Sequence, residues 1–208
     1  MSDVVDKGAL NVIALVCSLR TSADQSSSEL MARQVLDEMS QYGATSTVIR
    51  VADHEIKHGV ELDMGDGDEW PRIRQQIMEA DILLLATPIW LGHPASMTQK
   101  VLERLDAELS ETDDQGRLQT YGKVAVVAVV GNEDGAHKVS ADLFQGLNDV
   151  GFTIPAGGAV YWVGEAMGKV DYKDLDETPE AVATTAKSLA ANATHLAWQL
   201  KAENYPAV

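Results

Sequence analysis

The sequence predicts a doubly wound α/β domain, in which helices cover both faces of a parallel sheet. Short, continuously apolar segments alternate along the 208 residues with segments whose apolar residues recur every three or four positions. The apolar segments lack the polar alternation of a sheet that faces water, which is typical of strands buried on both faces. Parallel neighbours need crossover connections, and the helical segments supply them. No repeat or linker divides the chain, so we predict a single domain over residues 1–208.

The first part of the chain is predicted to form a strand, a helix and a second strand. The run NVIALV at 11–16 is apolar throughout and predicts the first strand. Met31, Val35 and Met39 recur every four residues, which predicts an apolar stripe along a helix. The segment TSTVIRV at 45–51 is the second strand candidate.

The middle of the chain repeats this alternation. After a glycine- and aspartate-rich loop at 52–69, a helix is predicted from Trp70 to about residue 80. DILLLA at 81–86 predicts the third strand, and KVAVVAVV at 123–130 predicts the fourth. Between these strands, apolar residues step by four and predict a regular amphipathic helix: Met97, Val101, Leu105 and Leu109.

The last part of the chain adds a helix, a strand and a long helix. Apolar residues between 139 and 150 predict the first of these, and GFTIPAGGAVYWV at 151–163 predicts a fifth strand that is interrupted at Pro155. The final helix is predicted to open at Thr178-Pro179-Glu180, with the threonine hydroxyl as its cap and the proline at its first helical position, and to end near Ala202.

Five strands in about 200 residues favour the flavodoxin-like strand order 2-1-3-4-5 over the six-stranded dinucleotide-binding order. With helices on both faces of the five-stranded parallel sheet, the predicted fold is a three-layer sandwich. In either order, ligands bind beyond the carboxyl ends of the strands. The loops after strands one, three and four are therefore the candidate ligand-binding loops.

Charge and cysteine content narrow the function classes. The formal net charge of -16 would repel phosphate backbones, so we expect no nucleic acid partner. The single cysteine, Cys17, rules out an internal disulfide or a cluster held by several thiolates, and we predict no metal site. The N-terminal segment lacks the features of a secretory signal, and its apolar run is too short for a membrane span. We expect a cytoplasmic location and no membrane association.

The first candidate loop, residues 18–28, combines hydroxyl groups with one positive charge. Five serines and Arg20 lie where strand one passes into helix one, so the unpaired amides of the helix N-terminus face the same crevice. This chemistry suits a phosphate monoester. The loop lacks the glycine spacing of a dinucleotide fingerprint and the GK[ST] of a P-loop. The alternative is a serine-rich entry to a capped helix.

The second candidate loop, residues 86–100, is apolar where it leaves the sheet. Ile89, Trp90 and Leu91 would lie at the mouth of the sheet, which suits a flat aromatic ligand. The alternative is that Trp90 fills a hydrophobic corner.

The third candidate loop, residues 131–137, contains two glycines that permit close backbone approach. Asp134 is alternatively an ordinary cap of the following helix. His137 at the helix start is either a surface residue or a proton donor.

Together these motifs resemble a known family. Ser18-Leu19-Arg20, then Thr87-Pro88-Ile89-Trp90 leading into 96–100, then the glycine-bearing loop 131–136, resemble the NADPH-dependent FMN reductase family and its flavodoxin-like quinone reductase relatives. The resemblance covers about residues 10–163. It implies bound FMN and electron transfer from NAD(P)H to a quinone, a free flavin or a similar small acceptor. It also implies an oxidoreductase that forms a homodimer or homotetramer.

The resemblance assigns binding roles to residues of all three loops. The residues that would hold the FMN phosphate are Ser18, Arg20, Ser26 and Ser28. Those that would line the isoalloxazine are Thr87, Pro88, Ile89, Trp90 and Leu91. Those along its outer edge are Gly131, Asn132 and Gly135. We assign no catalytic acid, because the reactive chemistry belongs to the flavin.

A carboxylate near the flavin is a candidate for tuning its potential. Glu133 or Asp134 would disfavour an anionic reduced flavin by like-charge repulsion.

Two other functional classes are compatible with the same fold. An acidic electron-carrier flavodoxin would shuttle electrons between proteins without being an enzyme, and a structural or regulatory domain would keep the fold without the cofactor. The polar segments 52–69 and 164–180 are surface loops, or they cover the flavin site of a neighbouring subunit.

Overall fold

A computed structural model, which describes residues 9–207, contains one central sheet. Its strands are β1 Leu10–Val16, β2 Ala44–Arg50, β3 Ile82–Trp90, β4 His93–Pro94, β5 Val124–Gly131 and β6 Ala159–Val163. The order is β2-β1-β3-β5-β6 and all neighbours in it are parallel, while β4 pairs antiparallel with the end of β3. Because β5 and β6 are the fourth and fifth predicted strands, the predicted order 2-1-3-4-5 is confirmed.

Helices cover both faces of the sheet. They are α1 Ser27–Ser40, α2 Trp70–Glu79, α3 Ser96–Leu105, α4 Ala136–Asp149 and α5 Glu180–Ala202. Short 3-10 turns occur at Val51–Asp53, Asp106–Ser110 and Tyr172–Asp174. One face of the sheet packs on α1 and α5, and the other packs on α2, α3 and α4. This is the predicted three-layer sandwich.

The core explains why the strands are apolar throughout. Along β5, Val126 packs in the cluster with α1 and α5, whereas Val127 packs in the cluster on the opposite face, and both are fully buried. Because consecutive side chains of a strand point to opposite faces, a sheet with two covered faces needs apolar residues at every position. Each such valine contributes about 1.5–3 kcal/mol of transfer free energy.

The ends of two strands differ from the prediction. The third strand continues beyond residue 86 to Trp90, because its last residues pair with β4. The fifth strand covers only Ala159–Val163 of the predicted 151–163, and Thr153 makes just one isolated bridge, to Val124. Pro155 has no backbone N–H for a ladder hydrogen bond, which separates these two parts.

The predicted hydroxyl cap of α5 is wrong. The cap position is Pro179, which has no side-chain hydrogen bond to the helix. The hydroxyl of Thr178 instead accepts a hydrogen bond from Gln34 Nε2 of α1 at 2.7 Å. This long-range contact replaces the local one that the sequence pattern indicates.

Within residues 9–207, no helix is both long enough and apolar enough to cross a membrane.

Candidate functional site

The three candidate loops follow the carboxyl ends of β1, β3 and β5, which are neighbours in the sheet. The amide of Cys17, directly after β1, donates to the carbonyl of Ala86 in β3 at 2.8 Å. The amide of Gly92 donates to Glu133 Oε1 at 2.7 Å and so connects the second loop with the third. The fold therefore brings the predicted loops to one edge of the sheet.

The N-terminus of α1 leaves several amides unpaired. Ser26 occupies the cap position, and its hydroxyl accepts from the Glu29 amide at 3.3 Å. The amides of residues 25–28 have no acceptor elsewhere in the described chain. Unpaired amides and the positive end of the helix dipole together favour an anion at this position.

The predicted phosphate residues differ in exposure. Ser18 is 9% exposed, and its hydroxyl accepts from the Arg20 amide at 3.3 Å. Ser28 is buried, whereas the Arg20 side chain is 76% exposed, with its Nη1 3.7 Å from a carboxylate oxygen of Asp24. Arg20 is therefore free to reorient toward a ligand, while Ser18 and Ser28 are held by the fold.

The sequence pattern does not single out Arg50, which organises the first loop. Arg50 is the last residue of β2 and is 5% exposed. Its Nη1 donates to the carbonyl oxygens of Arg20 and Thr21, both at 3.0 Å, and its Nη2 forms an ion pair with Glu29. The only sequence signal is a charged residue that ends an apolar strand next to the β1–α1 loop.

An open pocket of about 410 Å³ lies against this loop. Its lining includes the cationic side chains of Arg33, Arg50 and Lys173 and the carboxylates of Asp24 and Glu29. The lining thus carries a formal excess of one positive charge in a chain of strongly negative net charge. A volume in this range is typical of small-molecule sites.

Lys173 is a second residue that the sequence pattern does not indicate. It belongs to the segment between β6 and α5, and its amide donates to the Ser27 hydroxyl at 3.3 Å. Its Nζ donates to Asp174 at 2.7 Å, and this contact raises the pKa of Lys173. The ammonium group therefore stays charged beside the first turn of α1.

Burial and nearby charges shift the pKa values of two titratable groups near the loop. Burial alone would raise the pKa of Glu29, but hydrogen bonds and charge from Arg50 and Arg33 lower it overall. Burial raises the pKa of the Cys17 thiol to about 12, so this thiol is protonated and unreactive near neutral pH. Glu29 is accordingly the anionic partner of the loop, and Cys17 is a packing residue.

Thr87 fixes the start of the second loop. It is fully buried, and its hydroxyl accepts from the Ala95 amide at 3.1 Å and from the Thr98 hydroxyl at 2.7 Å. The same hydroxyl donates to the carbonyl of Pro88 at 3.0 Å. Ile89 is also buried, so the side chains of Thr87 and Ile89 support the loop from below.

Beyond Ile89 the chain forms a tight hairpin, the β3–β4 hairpin, in which Trp90 pairs with His93. The two residues between them have positive φ, 53° at Leu91 and 72° at Gly92, which is the geometry of a type I′ turn. Trp90 is 54% exposed and Leu91 is 91% exposed. Trp90 therefore does not fill a hydrophobic corner, and the hairpin presents an apolar tip to solvent.

The third loop packs closely against this hairpin. Gly135 has φ 123°, and a Cβ atom there would lie 2.9 Å from Gly92 Cα, so only glycine fits. A Cβ atom at Gly131 would lie 2.9 Å from the Cβ atom of Ile89, so this glycine also permits close packing. Asn132 Nδ2 donates to Asp171 at 2.9 Å, which connects the loop to the segment that carries Lys173.

Asp134 is not the cap of α4. Gly135 holds that position without a side-chain hydrogen bond, and Asp134 Oδ1 accepts from the adjacent Gly135 amide. His137 is exposed, and its Nε2 lies 2.9 Å from the Tyr161 hydroxyl. No group of three metal-binding side chains occurs among residues 9–207.

Comparison with known proteins identifies the family. The profile of the family described as NADPH-dependent FMN reductase matches residues 10–167. The chain belongs to this family. The match covers all three candidate loops, and it confirms the resemblance seen in their motifs.

Two curated relatives share part of the chain. It is 34% identical over 167 residues to 8-demethyl-8-aminoriboflavin-5'-phosphate synthase of Streptomyces davaonensis, covering 76% of this chain and 65% of that protein. It is 31% identical over 169 residues to a protein of Mycobacterium bovis named divalent metal cation transporter MntH, covering 79% of this chain and 25% of that protein. The chain thus spans just under two thirds of one relative and a quarter of the other.

Solved structures confirm the flavodoxin-like fold. RosB with bound 8-demethyl-8-formylriboflavin-5'-phosphate aligns with a TM-score of 0.85 and 31% identity, over 94% of this chain and 82% of that chain. NAD(P)H:quinone oxidoreductase from Methanothermobacter marburgensis aligns with a TM-score of 0.62 and 16% identity, over 89% and 96% of the two chains. The second likeness concerns the fold alone. The family and the flavin-bound relative support a flavin as the ligand.

Proposed function

We propose that this chain is an FMN-dependent oxidoreductase that passes electrons from NAD(P)H through bound flavin to a quinone, a free flavin or a similar small acceptor. One observation carries the proposal. The N-terminus of α1 offers unpaired amides beside a cationic pocket, and it shares its edge of the sheet with an exposed apolar hairpin tip. These two parts of the site match the two ends of FMN, which are a charged phosphate and a flat isoalloxazine ring.

The residues at this edge fit the phosphate of FMN. A phosphate dianion needs hydrogen-bond donors and positive charge, and the amides of residues 25–28 have no other acceptor in the described chain. Lys173 provides a cationic group beside this helix end, and the exposed Arg20 provides another in the loop that precedes it. We assign the phosphate to Ser18, Arg20, Ser26 and Ser28 together with these amides.

The hairpin and the third loop fit the ring. Trp90 and Leu91 offer apolar surface, and the main chain of 87–91 lies beside it. We assign the edge of the ring to Gly131, Asn132 and Gly135, whose loop is fixed against the hairpin. When bound, FMN supplies the acceptance of hydride and the onward transfer of electrons, while the protein binds the phosphate and orients the ring.

A second candidate is an enzyme that modifies the flavin itself, with FMN as its substrate. The observation that favours it is the likeness to RosB, at 31% identity and a TM-score of 0.85, which exceeds the likeness to the quinone oxidoreductase. RosB is described with a modified riboflavin phosphate bound. The same phosphate-binding loop and ring-binding hairpin would serve either reaction.

The two candidates are separated by one set of incubations of the full chain with FMN. Under anaerobic conditions, NADPH or NADH should bleach the yellow protein rapidly, and an added quinone should restore the colour. A yellow protein that neither nucleotide bleaches would indicate an electron carrier, and a colourless protein that takes up no FMN would contradict both candidates. Aerobic incubation followed by mass spectrometry of the released flavin tests for modification.

The assembly and setting are also part of the proposal. We propose that residues 1–208 act as one FMN-binding domain in a cytoplasmic homodimer or homotetramer whose partner is a small-molecule acceptor. Light scattering of the purified protein measures the oligomer directly, and a monomer would contradict this part.

A further inference from the structure

We propose that Arg50 is a positioning residue for phosphate binding: it holds the carbonyls of the β1–α1 loop on one side, so that the loop amides face the phosphate on the other. This inference rests on the proposed binding of FMN. It assigns the preference for a phosphorylated flavin to a side chain that lies at the edge of the pocket and is almost fully buried against the loop carbonyls. Arg50 is 5% exposed, so it acts through the loop.

One guanidinium binds three carbonyl groups of a single loop. Nη1 donates to the carbonyls of Arg20 and Thr21, both at 3.0 Å, and to that of Asp24 at 3.5 Å. Nη2 also reaches the Asp24 carbonyl at 3.5 Å and pairs with the Glu29 carboxylate. Since Glu29 lies in the first turn of α1, Arg50 connects the end of β2 to the loop and to the helix.

Peptide geometry converts these contacts into an orientation of amides. No peptide bond among the described residues is cis, so the N–H of each peptide unit points opposite to its C=O. The carbonyls of residues 20, 21 and 24 share peptide units with the amides of Thr21, Ser22 and Gln25. Those three amides are therefore directed away from Arg50.

The fate of the three amides supports this orientation. The Ser22 amide donates to Asp53 Oδ1 at 2.7 Å, whereas the amides of Thr21 and Gln25 have no acceptor in the chain from residue 9 to residue 207. Backbone amides that have no acceptor in the protein are available to donate hydrogen bonds to an anion such as phosphate. Without the guanidinium, the three carbonyls would be released and the orientations of the Thr21 and Gln25 amides would no longer be fixed.

Comparing FMN with riboflavin isolates this role, because riboflavin has the same ring and no phosphate. Arg50→Lys keeps the charge, but one ammonium group cannot reproduce the planar fork that holds several acceptors. We expect the Kd for FMN to rise about tenfold and the Kd for riboflavin to change by less than about twofold. Quenching of flavin fluorescence measures both constants.

A second variant avoids leaving an unpaired buried charge. The double substitution Arg50→Met with Glu29→Gln removes both members of the ion pair and should show the same selective loss of FMN affinity. Arg74→Met with Glu108→Gln is the matched control, because Arg74 pairs with the buried Glu108 at 2.6 Å and touches no residue of the loop. It should leave both Kd values unchanged.

Hydrogen exchange of the unaltered protein gives a test that does not depend on any variant folding. FMN should protect the amides of Thr21 and Gln25 from exchange, and riboflavin should not. An absence of FMN binding by the unaltered protein would reject the proposed function itself. If FMN binds, the inference is overturned by equal protection with both flavins, or by variants that weaken FMN and riboflavin equally or not at all.

Discussion

The β1–α1 loop and the β3–β4 hairpin lie at the same edge of the sheet, but different interactions hold them. In the loop, the buried guanidinium of Arg50 binds main-chain carbonyls and the Glu29 carboxylate. In the hairpin, Leu91 and Gly92 form a turn with positive φ, and the tip is exposed to solvent. The loop is thus ordered by buried charge, and the hairpin by backbone geometry.

Under the proposed function, this difference separates binding of the phosphate from binding of the ring. A loop whose amides are already oriented suits a charged phosphate, because little order has to be gained on binding. An exposed apolar tip suits a flat ring. Variants in the loop should therefore change the preference for FMN over riboflavin, whereas variants in the hairpin should weaken both flavins by the same factor.

The largest expected effect comes from removing the buried charge of the loop. Glu29→Gln leaves Arg50 without its anionic partner, and we expect a loss of about 2–3 kcal/mol in the free energy of unfolding, since the Glu29 side chain is 17% exposed. Urea unfolding at pH 7 measures this loss. Glu203→Gln, at an exposed position after α5, is the control and should cost nothing measurable.

The ion pair of Glu29 with Arg50 also predicts that the free energy of unfolding depends on pH. Arg50 and Arg33 lower the pKa of Glu29 from 4.5 despite its burial, so the stabilisation is fully present above pH 4.5 and is lost as the pH falls through the folded-state pKa. The cost of Glu29→Gln should therefore shrink at acid pH. An equal cost at pH 7 and pH 3 would contradict the ion pair as its cause.

The close packing of the third loop against the hairpin backbone is tested at Gly135. Gly135→Ala places a methyl group 2.9 Å from Gly92 Cα in a backbone region that disfavours side chains, and we expect a cost of about 2 kcal/mol with weaker binding of both flavins. Gly43→Ala is a matched control with φ 79° and no atom within 4 Å of the new methyl group. It should cost about 1 kcal/mol and leave flavin binding intact. If Gly135→Ala weakened the binding of FMN but not of riboflavin, the proposed division between a phosphate-binding loop and a ring-binding hairpin would be contradicted.

The apolar surface of the hairpin is tested at Trp90. Trp90→Ala should raise the Kd values for FMN and riboflavin equally, by about threefold to tenfold, since aromatic contacts contribute about 0.5–1.5 kcal/mol beyond burial. Because Trp90 is 54% exposed, thermal unfolding should change little. Trp90→Phe should recover part of the affinity, and an effect on FMN alone would assign Trp90 to the phosphate end.

The smallest expected effect concerns the contact between the hairpin and the third loop. Glu133→Gln keeps an oxygen that accepts from the Gly92 amide but removes a negative charge. An anionic reduced flavin would be disfavoured less, so the midpoint potential should rise by about 10 mV, equal to about 0.5 kcal/mol for two electrons. A spectroscopic redox titration measures it, and an unchanged potential would remove Glu133 from the list of groups that tune the flavin.

The sequence predicts the sheet well because its signals are local. The valine-rich β5 and the part of the α3 stripe from Met97 to Leu105 need no information from elsewhere in the chain. The prediction is wrong at Leu109, which lies beyond the end of α3 in a 3-10 turn and is 49% exposed. The prediction is wrong where a distant residue competes, as when Gln34 takes the Thr178 hydroxyl from its expected capping role. The fifth strand is predicted with an interruption at Pro155, and only the part after this residue, Ala159–Val163, forms a strand of the sheet.

The position of the site follows from the carboxyl-end rule, but its internal contacts do not. Arg50 contacts carbonyls 26 to 30 positions away, and Lys173 contacts Ser27 across 146 positions. No local periodicity signals such pairs. The roles assigned to Ser18, Arg20 and Trp90 stay predictions until flavin binding is measured.

The segment between β6 and α5 connects the C-terminal part of the chain to α1. Tyr172 donates to Gln34 at 2.6 Å, and the next residue, Lys173, reaches the first turn of α1. During synthesis, the pocket thus lacks part of its wall until about five sixths of the chain has been made. Uptake of a coloured ligand would then report that the chain has been made at least as far as Lys173, since the earlier residues alone leave the pocket without this wall.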